Sequence, residues 1–181
     1  MVRFCSISIL LMLGTLISAQ TNPAHDDHSL AHVQNHFTLV VKASYEDTAI
    51  LFGPSGERVW AGKDWNPQFL YPLPERDVEG AVFTVQHGSH QSVWVNSIRD
   101  IAARHFQYVY FIPDALVTVI DVRFSPMDAG TTNVEVVYTR TALAPETNDH
   151  VRALGEHDGA NGPEWQESID LYLNSKSLVK H

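Results

Sequence analysis

The hydrophobic and polar residues of this chain alternate with a period of two through most of residues 80–143. Such alternation indicates strands with one buried face, and connections of only a few residues indicate antiparallel neighbours. Three inward-facing sets repeat along the segment: Phe106, Tyr108, Tyr110 and Ile112; Thr118, Ile120, Val122 and Phe124; and Val134, Val136 and Tyr138. The pattern therefore predicts a curved antiparallel sheet in the middle of the chain.

The strand boundaries follow from the same alternation and from the turn residues between the segments. Strands are predicted over residues 33–43, 68–73, 81–87, 91–97, 105–112, 116–125 and 132–142. Prolines beside the second segment favour the edge of the sheet, because proline cannot donate a hydrogen bond to a neighbouring strand. Gly88 permits a tight turn between the third and fourth strands.

Helical patterns lie on both sides of the second to seventh strands. Two short helices are predicted before the second strand, one capped by Ser44 and one over residues 55–61, with the Gly53-Pro54 pair between them. Further helical pieces are predicted over residues 146–157 and 163–174, with a glycine-containing break between them. One face of the last piece carries Trp165, Ile169, Tyr172 and Leu173. We expect that face to pack on the concave side of the sheet.

The first 19 residues have the pattern of a secretory signal peptide. Arg3 precedes an apolar run over residues 7–17, and the small residues Ser18 and Ala19 follow it. The run is short for a membrane span. Cleavage after Ala19 is therefore predicted, with release into the periplasm or the extracellular space. Cys5 lies within the signal, so the mature chain would contain no thiol.

The mature chain has an acidic composition that argues against some classes of partner. It divides into a flexible His- and Asp-rich N-terminus over residues 20–32, one domain over residues 33–175 and a short tail over residues 176–181. Loss of Arg3 with the signal leaves 11 of the 12 basic side chains against 21 acidic ones, a net charge of −10. This charge disfavours nucleic acid and anionic membranes as partners. A monomer or small homo-oligomer is predicted, with no stable membrane anchor after signal cleavage and no cofactor.

Six short segments carry a resemblance to a known superfamily: LFGP at 51–54, ERVWA at 57–61, WNP at 65–67, GAVF at 80–83, VWV at 93–95 and VVYTRTAL at 136–143. With the order of elements, they resemble the START-like or SRPBCC superfamily, which includes polyketide cyclases/dehydrases and lipid-transport proteins. The resemblance spans residues 33–174. It implies an α+β helix-grip fold. In this fold a curved antiparallel sheet of about seven strands surrounds a long C-terminal helix, with two short helices between strands one and two.

The resemblance also implies a deep, mostly apolar cavity between the sheet and the last helix, which holds a hydrophobic small molecule. Together with the strand phase, it gives ten candidate ligand-binding residues: Trp94, Tyr108, Tyr110, Ile120, Val122, Val136, Tyr138, Arg140, Trp165 and Ile169. Plain core packing is the alternative for the apolar members of this set, because apolar periodicity does not separate a cavity wall from a core.

Arg140 is the charged member of this set, and it continues the inward-facing positions of its strand. An unpaired buried guanidinium is costly, so two explanations remain open. Arg140 either binds a carboxylate or phenolate of the ligand, or it pairs with an acid such as Glu167 or Asp170 or reaches out to the rim. On the opposite sheet face, three charged side chains are predicted to form solvated cross-strand pairs: Asp121, Arg123 and Glu135.

The histidines give two candidate metal sites. Four lie near the mature N-terminus: His25, His28, His32 and His36. Adventitious binding is favoured there, because His36 falls in a predicted strand and no rigid frame holds the others. His87 and His90 would face each other across a hairpin, but two ligands do not complete a site. No specific metal site is predicted.

The predicted function is that of an exported protein which binds a hydrophobic or amphipathic small molecule of lipid, polyketide or aromatic type. The sequence has no nucleophile elbow, no HExxH motif and no phosphate loop. The alternative is a cyclase/dehydratase-like enzyme that acts on an aromatic or polyketide-like substrate by general acid–base catalysis. It would use Tyr108, Tyr110 or Arg140 with a histidine such as His105. A module resembling chaperone activators is disfavoured by the export signal.

Overall fold

The computed structural model describes residues 29–88 and 90–179, and the sheet predicted from the alternation is present there. The strands β1 to β7 are His32–Val41, Gln68–Tyr71, Val82–His87, His90–Asp100, His105–Ile112, Leu116–Asp128 and Thr131–Ala142. All neighbours are antiparallel, in the order β1-β7-β6-β5-β4-β3-β2. The seven-stranded sheet is confirmed, and so is the edge position of the proline-flanked second strand.

Two short helices lie between β1 and β2, as the sequence predicts. Helix α1 spans Tyr45–Ala49, and the Ser44 hydroxyl caps it by accepting the Asp47 backbone N–H at 3.2 Å. A 3-10 helix spans Gly56–Val59. Between them Gly53 adopts a φ of 132°, a conformation that strains any residue with a Cβ. The glycine therefore lets the chain reverse and bring the 3-10 helix over the sheet.

The chain after β7 forms a short 3-10 helix and two α-helices: Pro145–Thr147, α2 at Asn148–Ala160 and α3 at Gly162–Val179. The break predicted at residues 159–162 is narrower than expected, because Asn161 alone separates α2 from α3. Helix α3 also continues beyond residue 175, where the sequence predicts the start of a tail. The longer α2 matters for the site described below.

Helix α2 packs closely against β1 at Gly155. A Cβ at this position would lie 2.8 Å from Val33 Cγ2 and 2.9 Å from Asn35 Nδ2. Both distances are shorter than side-chain atoms tolerate, so a larger residue would push the helix away from the strand. This glycine, which looks unfavourable for a helix, sets the distance between α2 and the sheet.

The chain is held in place just before β1. Asn148 accepts the Ala31 backbone N–H at 2.6 Å and donates to the Ser29 carbonyl at 3.0 Å. The last residues of the segment predicted to be a flexible N-terminus are therefore held by α2, which supplies a partner that the sequence pattern does not show. The rest of that segment and the predicted signal peptide lie outside the described residues.

The hydrophobic core lies between the concave face of the sheet and α3. Ile169 of α3 is fully buried there, and three further side chains of the same face pack against it: Trp165, Tyr172 and Leu173. The predicted packing of α3 is thereby confirmed. In the part of the chain that the structure describes, no helix is both long enough and apolar enough to span a bilayer.

Candidate functional site

A cavity of about 360 Å³ opens between the sheet, the first 3-10 helix with its following loop, and α3. The sheet contributes Trp94, Tyr108, Tyr110, Ile120, Val122, Tyr138 and Arg140 to its wall. The 3-10 helix and loop contribute Glu57, Trp60, Ala61, Gly62 and Trp65, and α3 contributes Glu164, Trp165 and Ser168. The volume falls in the range of small-molecule sites in proteins.

The structure places eight of the ten predicted ligand-binding residues on this wall. The two others, Val136 and Ile169, are fully buried members of the hydrophobic core. Val136 has the predicted inward phase, but its register partner is Phe37 of β1, whose ring is buried in the same core. Strand phase selects the correct face of the sheet, whereas packing of other elements decides between core and wall. Ligand contact at the eight positions stays a prediction.

The sequence interpretation missed the wall formed by the segment between α1 and β2. Glu57, Trp60 and Trp65 all reach the cavity from this segment. The segment has no long period-two or helical pattern, so hydropathy gives it no inward face. The available signal was the resemblance itself, since ERVWA at 57–61 and WNP at 65–67 are among the segments that carry it.

Arg140 lies in the wall next to α2 and forms a buried ion pair. Its Nε donates to Asp158 Oδ2 at 2.5 Å and its Nη2 to Asp158 Oδ1 at 2.7 Å, and the two residues are 5% and 2% exposed. Nη1 donates to Thr118 Oγ1 at 3.0 Å and also to the Tyr110 hydroxyl. Strand register explains this cluster, because Tyr110, Thr118 and Arg140 are neighbours across β5, β6 and β7.

Arg140 pairs with an acid, as one of the two explanations held, but that acid is Asp158, and the suggested partners Glu167 and Asp170 were wrong. The sequence interpretation ended the preceding helix at residue 157, whereas α2 continues to Ala160 and carries Asp158 onto β7. Burial by itself lowers the pKa of Arg140, but its hydrogen bond to Asp158 and the nearby Tyr110 outweigh that effect and raise the pKa above its ordinary value. Arg140 is therefore charged, and Asp158 balances its charge.

Glu57 places a second carboxyl group in the cavity wall. The residue is 8% exposed, and its Oε1 accepts the Gly53 backbone N–H at 3.1 Å. Burial raises the pKa of Glu57 from 4.5 to about 8, the hydrogen bond from Gly53 opposes this rise, and the charge of Asp77 adds to it. At neutral pH the carboxyl group is mostly protonated, so it can donate a hydrogen bond and carries little charge.

Asp77 holds the loop from which Glu57 projects. Its Oδ1 accepts the Ser55 N–H at 3.0 Å, and its Oδ2 accepts the Gly56 N–H at 3.1 Å. A Cβ at Gly53 would lie 2.6 Å from the same Oδ2. The geometry of this loop, and with it the position of Glu57, therefore depends on a glycine and on a carboxylate from the segment before β3.

The hydroxyl of Tyr108 has no hydrogen-bond partner among the residues that the structure describes. The residue lines the cavity and is 5% exposed. Burial raises the pKa of Tyr108 well above its ordinary value, and Glu57 is its strongest electrostatic neighbour. A buried hydroxyl without a partner is destabilising. At this position a water or another small molecule could complete the hydrogen bonding.

Aromatic rings surround these polar groups. The ring centroids of Trp60 and Trp165 are 5.0 Å apart, and those of Trp65 and Trp94 are 5.3 Å apart. The indole N–H groups of Trp60, Trp65 and Trp94 donate to protein oxygens at 2.7 to 3.1 Å. Because these donors are occupied, the three indoles offer a ligand apolar surface and π electrons.

His105 lies on the outer face of the sheet, away from the cavity. Its Nε2 contacts Asp121 Oδ1, and Gln107 Nε2 donates to Asp121 Oδ2 at 2.9 Å. The enzyme alternative suggested His105 as a partner of Tyr108, Tyr110 or Arg140, and this pairing is wrong because the odd-numbered positions of β5 face outward. Arg123 lies on this outer face as predicted, with its Nη2 3.9 Å from Asp121, and Glu135 is its register partner on β7.

The candidate metal ligands were the histidines near the mature N-terminus and the two histidines of the first hairpin. His32 and His36 are exposed on β1, and His25 and His28 lie outside the described residues. His90 is the register partner of His87 across the β3–β4 hairpin, as predicted. Among the described residues, no group of three or more His, Cys, Asp or Glu side chains is placed to hold a metal ion.

Comparison with known proteins gives matches only at the level of solved structures. Neither protein-family profiles nor curated sequences match the chain. Norcoclaurine synthase from Thalictrum flavum, solved with dopamine and hydroxybenzaldehyde, has a TM-score of 0.59 at 14% identity and covers 97% of this chain and 98% of its own. An uncharacterised protein from Rhizobium leguminosarum has a TM-score of 0.56 at 12% identity, covering 79% and 97%. The ZhuI aromatase/cyclase from Streptomyces sp. R1128 has a TM-score of 0.51 at 16% identity, covering 78% and 92%.

These similarities and the sheet topology show the fold. The chain has a helix-grip α+β fold, which is the fold that the sequence resemblance to the START-like or SRPBCC superfamily implies. At these identities the comparisons establish the fold, and the chemistry of the cavity must be argued from its own residues.

Proposed function

We propose that this protein is exported and holds an aromatic or amphipathic small molecule in the cavity beneath α3. The observation that carries the proposal is the unpartnered Tyr108 hydroxyl in the wall of an aromatic cavity of about 360 Å³. Protein interiors are otherwise close-packed, with few voids larger than a water molecule. Export rests on the signal-peptide pattern of residues 1–19.

The structural neighbours support an aromatic ligand within this proposal. One is solved with dopamine and hydroxybenzaldehyde, and another is named as an aromatase/cyclase. The cavity of this chain suits the same chemical class, because offset and edge-on contacts between rings stabilise by about 0.5–1.5 kcal/mol each beyond the burial of their area. Trp60, Trp65 and Trp165 are placed to make such contacts.

Native mass spectrometry of protein from the exported fraction of its own host tests this proposal. We expect a mature chain that begins at Gln20 and carries one additional small-molecule mass, which is lost on denaturation. Ile120→Trp fills the cavity floor from β6 and should reduce the bound fraction at least tenfold. Val119→Trp, the adjacent outward-facing position, is the matched control and should keep the ligand.

Two results would contradict the proposal. If the folded Ile120→Trp protein retained its bound mass, the ligand would lie outside this cavity. If the wild-type exported protein carried no small molecule and bound none from an extract of the same host, the carrier role would be wrong. Thermal denaturation of both variants confirms that each is folded before the comparison is made.

A second candidate function, favoured by Glu57, is that of a cyclase/dehydratase-like enzyme acting on an aromatic or polyketide-like substrate. General acid–base catalysis works best when the pKa of the catalytic group is near the working pH. Glu57, with a pKa of about 8, meets this condition inside the cavity. The Tyr108 hydroxyl could hold a substrate carbonyl oxygen while Glu57 gives or accepts a proton.

Turnover assays with aromatic aldehydes and polyketide-like β-diketones test this second function. For a substrate that reacts, Glu57→Gln should lower kcat by about 10²- to 10⁴-fold. It should also remove the pH–rate limb near pH 8. Glu156→Gln, which changes an exposed carboxylate on α2, is the control and should leave the profile unchanged. A Glu57→Gln protein with the wild-type rate and pH profile would contradict the catalytic role.

A further inference from the structure

We infer that the ligand of this cavity is an organic cation with an aromatic body, whose positive charge is held by the Glu57 carboxylate and the surrounding rings. The inference rests on the proposed binding function and specifies the charge of the ligand. It starts from how the protein already stabilises one buried cation in the same wall.

That cation is the guanidinium of Arg140. Its Cζ lies 5.1 Å from the ring centroid of Tyr138 and 5.8 Å from that of Tyr110. Asp158 supplies the opposite charge through two hydrogen bonds. At this position the wall therefore combines a buried carboxylate, aromatic rings and a cation, an arrangement in which each group stabilises the others.

Glu57 brings a second buried carboxyl group to a cavity wall that is also lined by aromatic rings. Tyr108 and Tyr138 both interact electrostatically with Glu57, and Trp60 follows it on the same segment. Among the described residues that line the cavity, Arg140 is the only Arg or Lys, and Asp158 already balances it. The cation that completes the arrangement at Glu57 would come from the ligand.

The charges of the wall also disfavour an anionic ligand. Apart from the paired Arg140 and the neutral tyrosines, the ionisable groups in the described wall are the carboxyls of Glu57 and Glu164. Glu164 is exposed at the start of α3 and would attract a cation during entry. A ligand carboxylate would meet no unpaired positive group in this described wall. The sequence-based hypothesis that Arg140 binds an anionic ligand is therefore disfavoured.

Binding of a cation should be coupled to ionisation of Glu57. The charged and titratable groups that interact electrostatically with Glu57 are Asp77 before β3, Arg99 of β4, Tyr108 of β5 and Tyr138 of β7. Arg99 is held by other contacts, since its Nη1 donates to a backbone carbonyl at 3.0 Å and its Cζ lies 4.3 Å from a phenylalanine ring centroid. Burial keeps the pKa of both tyrosines well above the ordinary value, so they stay neutral. Glu57 is thus the group whose loss of a proton is coupled to binding of the cation.

Two probes of the same shape test the inference by isothermal titration calorimetry. Benzyltrimethylammonium is permanently charged, and neopentylbenzene replaces its quaternary nitrogen with carbon. Because Glu57 must lose its proton before it can pair with the cation, the Kd of the charged probe should fall about ninefold from pH 6 to 7 and about tenfold more from pH 7 to 9. The Kd of the uncharged probe should not change with pH. At pH 9 the charged probe should bind at least tenfold more tightly.

Two variants assign the effect to Glu57. Glu57→Gln should remove the pH dependence and the preference for the charged probe, while Glu156→Gln should keep both. Equal affinity for the two probes at pH 9 would overturn the inference and leave the proposed aromatic ligand standing. A charge preference that survives Glu57→Gln would also overturn it. Failure of both probes to bind the folded protein would count against the inference and against the aromatic cavity together.

Discussion

Replacing Asp158 with alanine should lower the free energy of unfolding by about 3–5 kcal/mol at neutral pH. Arg140 is only 5% exposed in the wild-type protein, and the substitution leaves its guanidinium without a balancing charge. Thr118 and Tyr110 still accept hydrogen bonds from Nη1, but both are uncharged. Chemical denaturation followed by tryptophan fluorescence measures the loss.

A double variant separates the charge effect from a general loss of packing. Arg140→Met combined with Asp158→Ala removes both charges and should recover most of the lost stability, since apolar replacement of a buried pair is often close to neutral. Asp149→Ala breaks an exposed pair with Arg152 on the same helix and should change stability by less than about 1 kcal/mol. If Asp158→Ala lost no more than Asp149→Ala, the buried pair would not be a major stabilising contact.

The Arg140–Asp158 ion pair also joins α2 to the sheet beside the cavity. Asp158 reaches Arg140 because α2 lies close to β1 at Gly155 and continues to Ala160. The pair therefore joins the helix to β7 at one side of the cavity. Because Arg140 is held in this ion pair, it is unsuited to bind and release a ligand. Glu57 and Tyr108 are therefore the better polar candidates for ligand binding.

Strand phase predicted the sheet side of the site well. Each side chain of a strand points to one of only two sheet faces. Once β5 to β7 are recognised, the inward orientation of Tyr108, Ile120, Tyr138 and Arg140 therefore follows. The antiparallel pairing followed from the same alternation and the short connections, whereas the helix-grip fold followed from the resemblance. Hydropathy does not report which inward positions are covered by other elements, and Val136 became core where a cavity residue was predicted.

The helical and loop side of the site was less predictable. Glu57 reaches the cavity because Gly53 reverses the chain and Asp77 fixes the loop from a distant segment. Neither contact has a periodic signature. Asp158 depended on one further turn of α2, in a stretch where glycines favour a helix end. Both buried carboxyl groups were therefore missed, although they determine the electrostatics of the cavity.

In the ligand-free protein, the free energy of unfolding should fall as the pH rises from 4.5 to about 8, and Glu57→Gln should remove most of this fall. The folded protein keeps the Glu57 proton up to about pH 8, whereas an ordinary carboxyl group releases it near 4.5. Between these values the folded state binds more protons than the unfolded state, so stability decreases with pH. The full difference is on the order of 5 kcal/mol, lost progressively across that interval.

The difference between wild type and Glu57→Gln isolates this effect from all other titrating groups. The two proteins should have similar pH dependence below pH 4.5 and diverge above it, with Glu57→Gln the more stable at pH 9, since glutamine still accepts the Gly53 N–H but carries no charge. Glu156→Gln should follow the wild-type curve. Parallel curves for wild type and Glu57→Gln would mean that Glu57 ionises at its ordinary pH in the folded cavity. A cationic ligand would then gain no affinity between pH 6 and 9, and the coupling of binding to a proton would be lost.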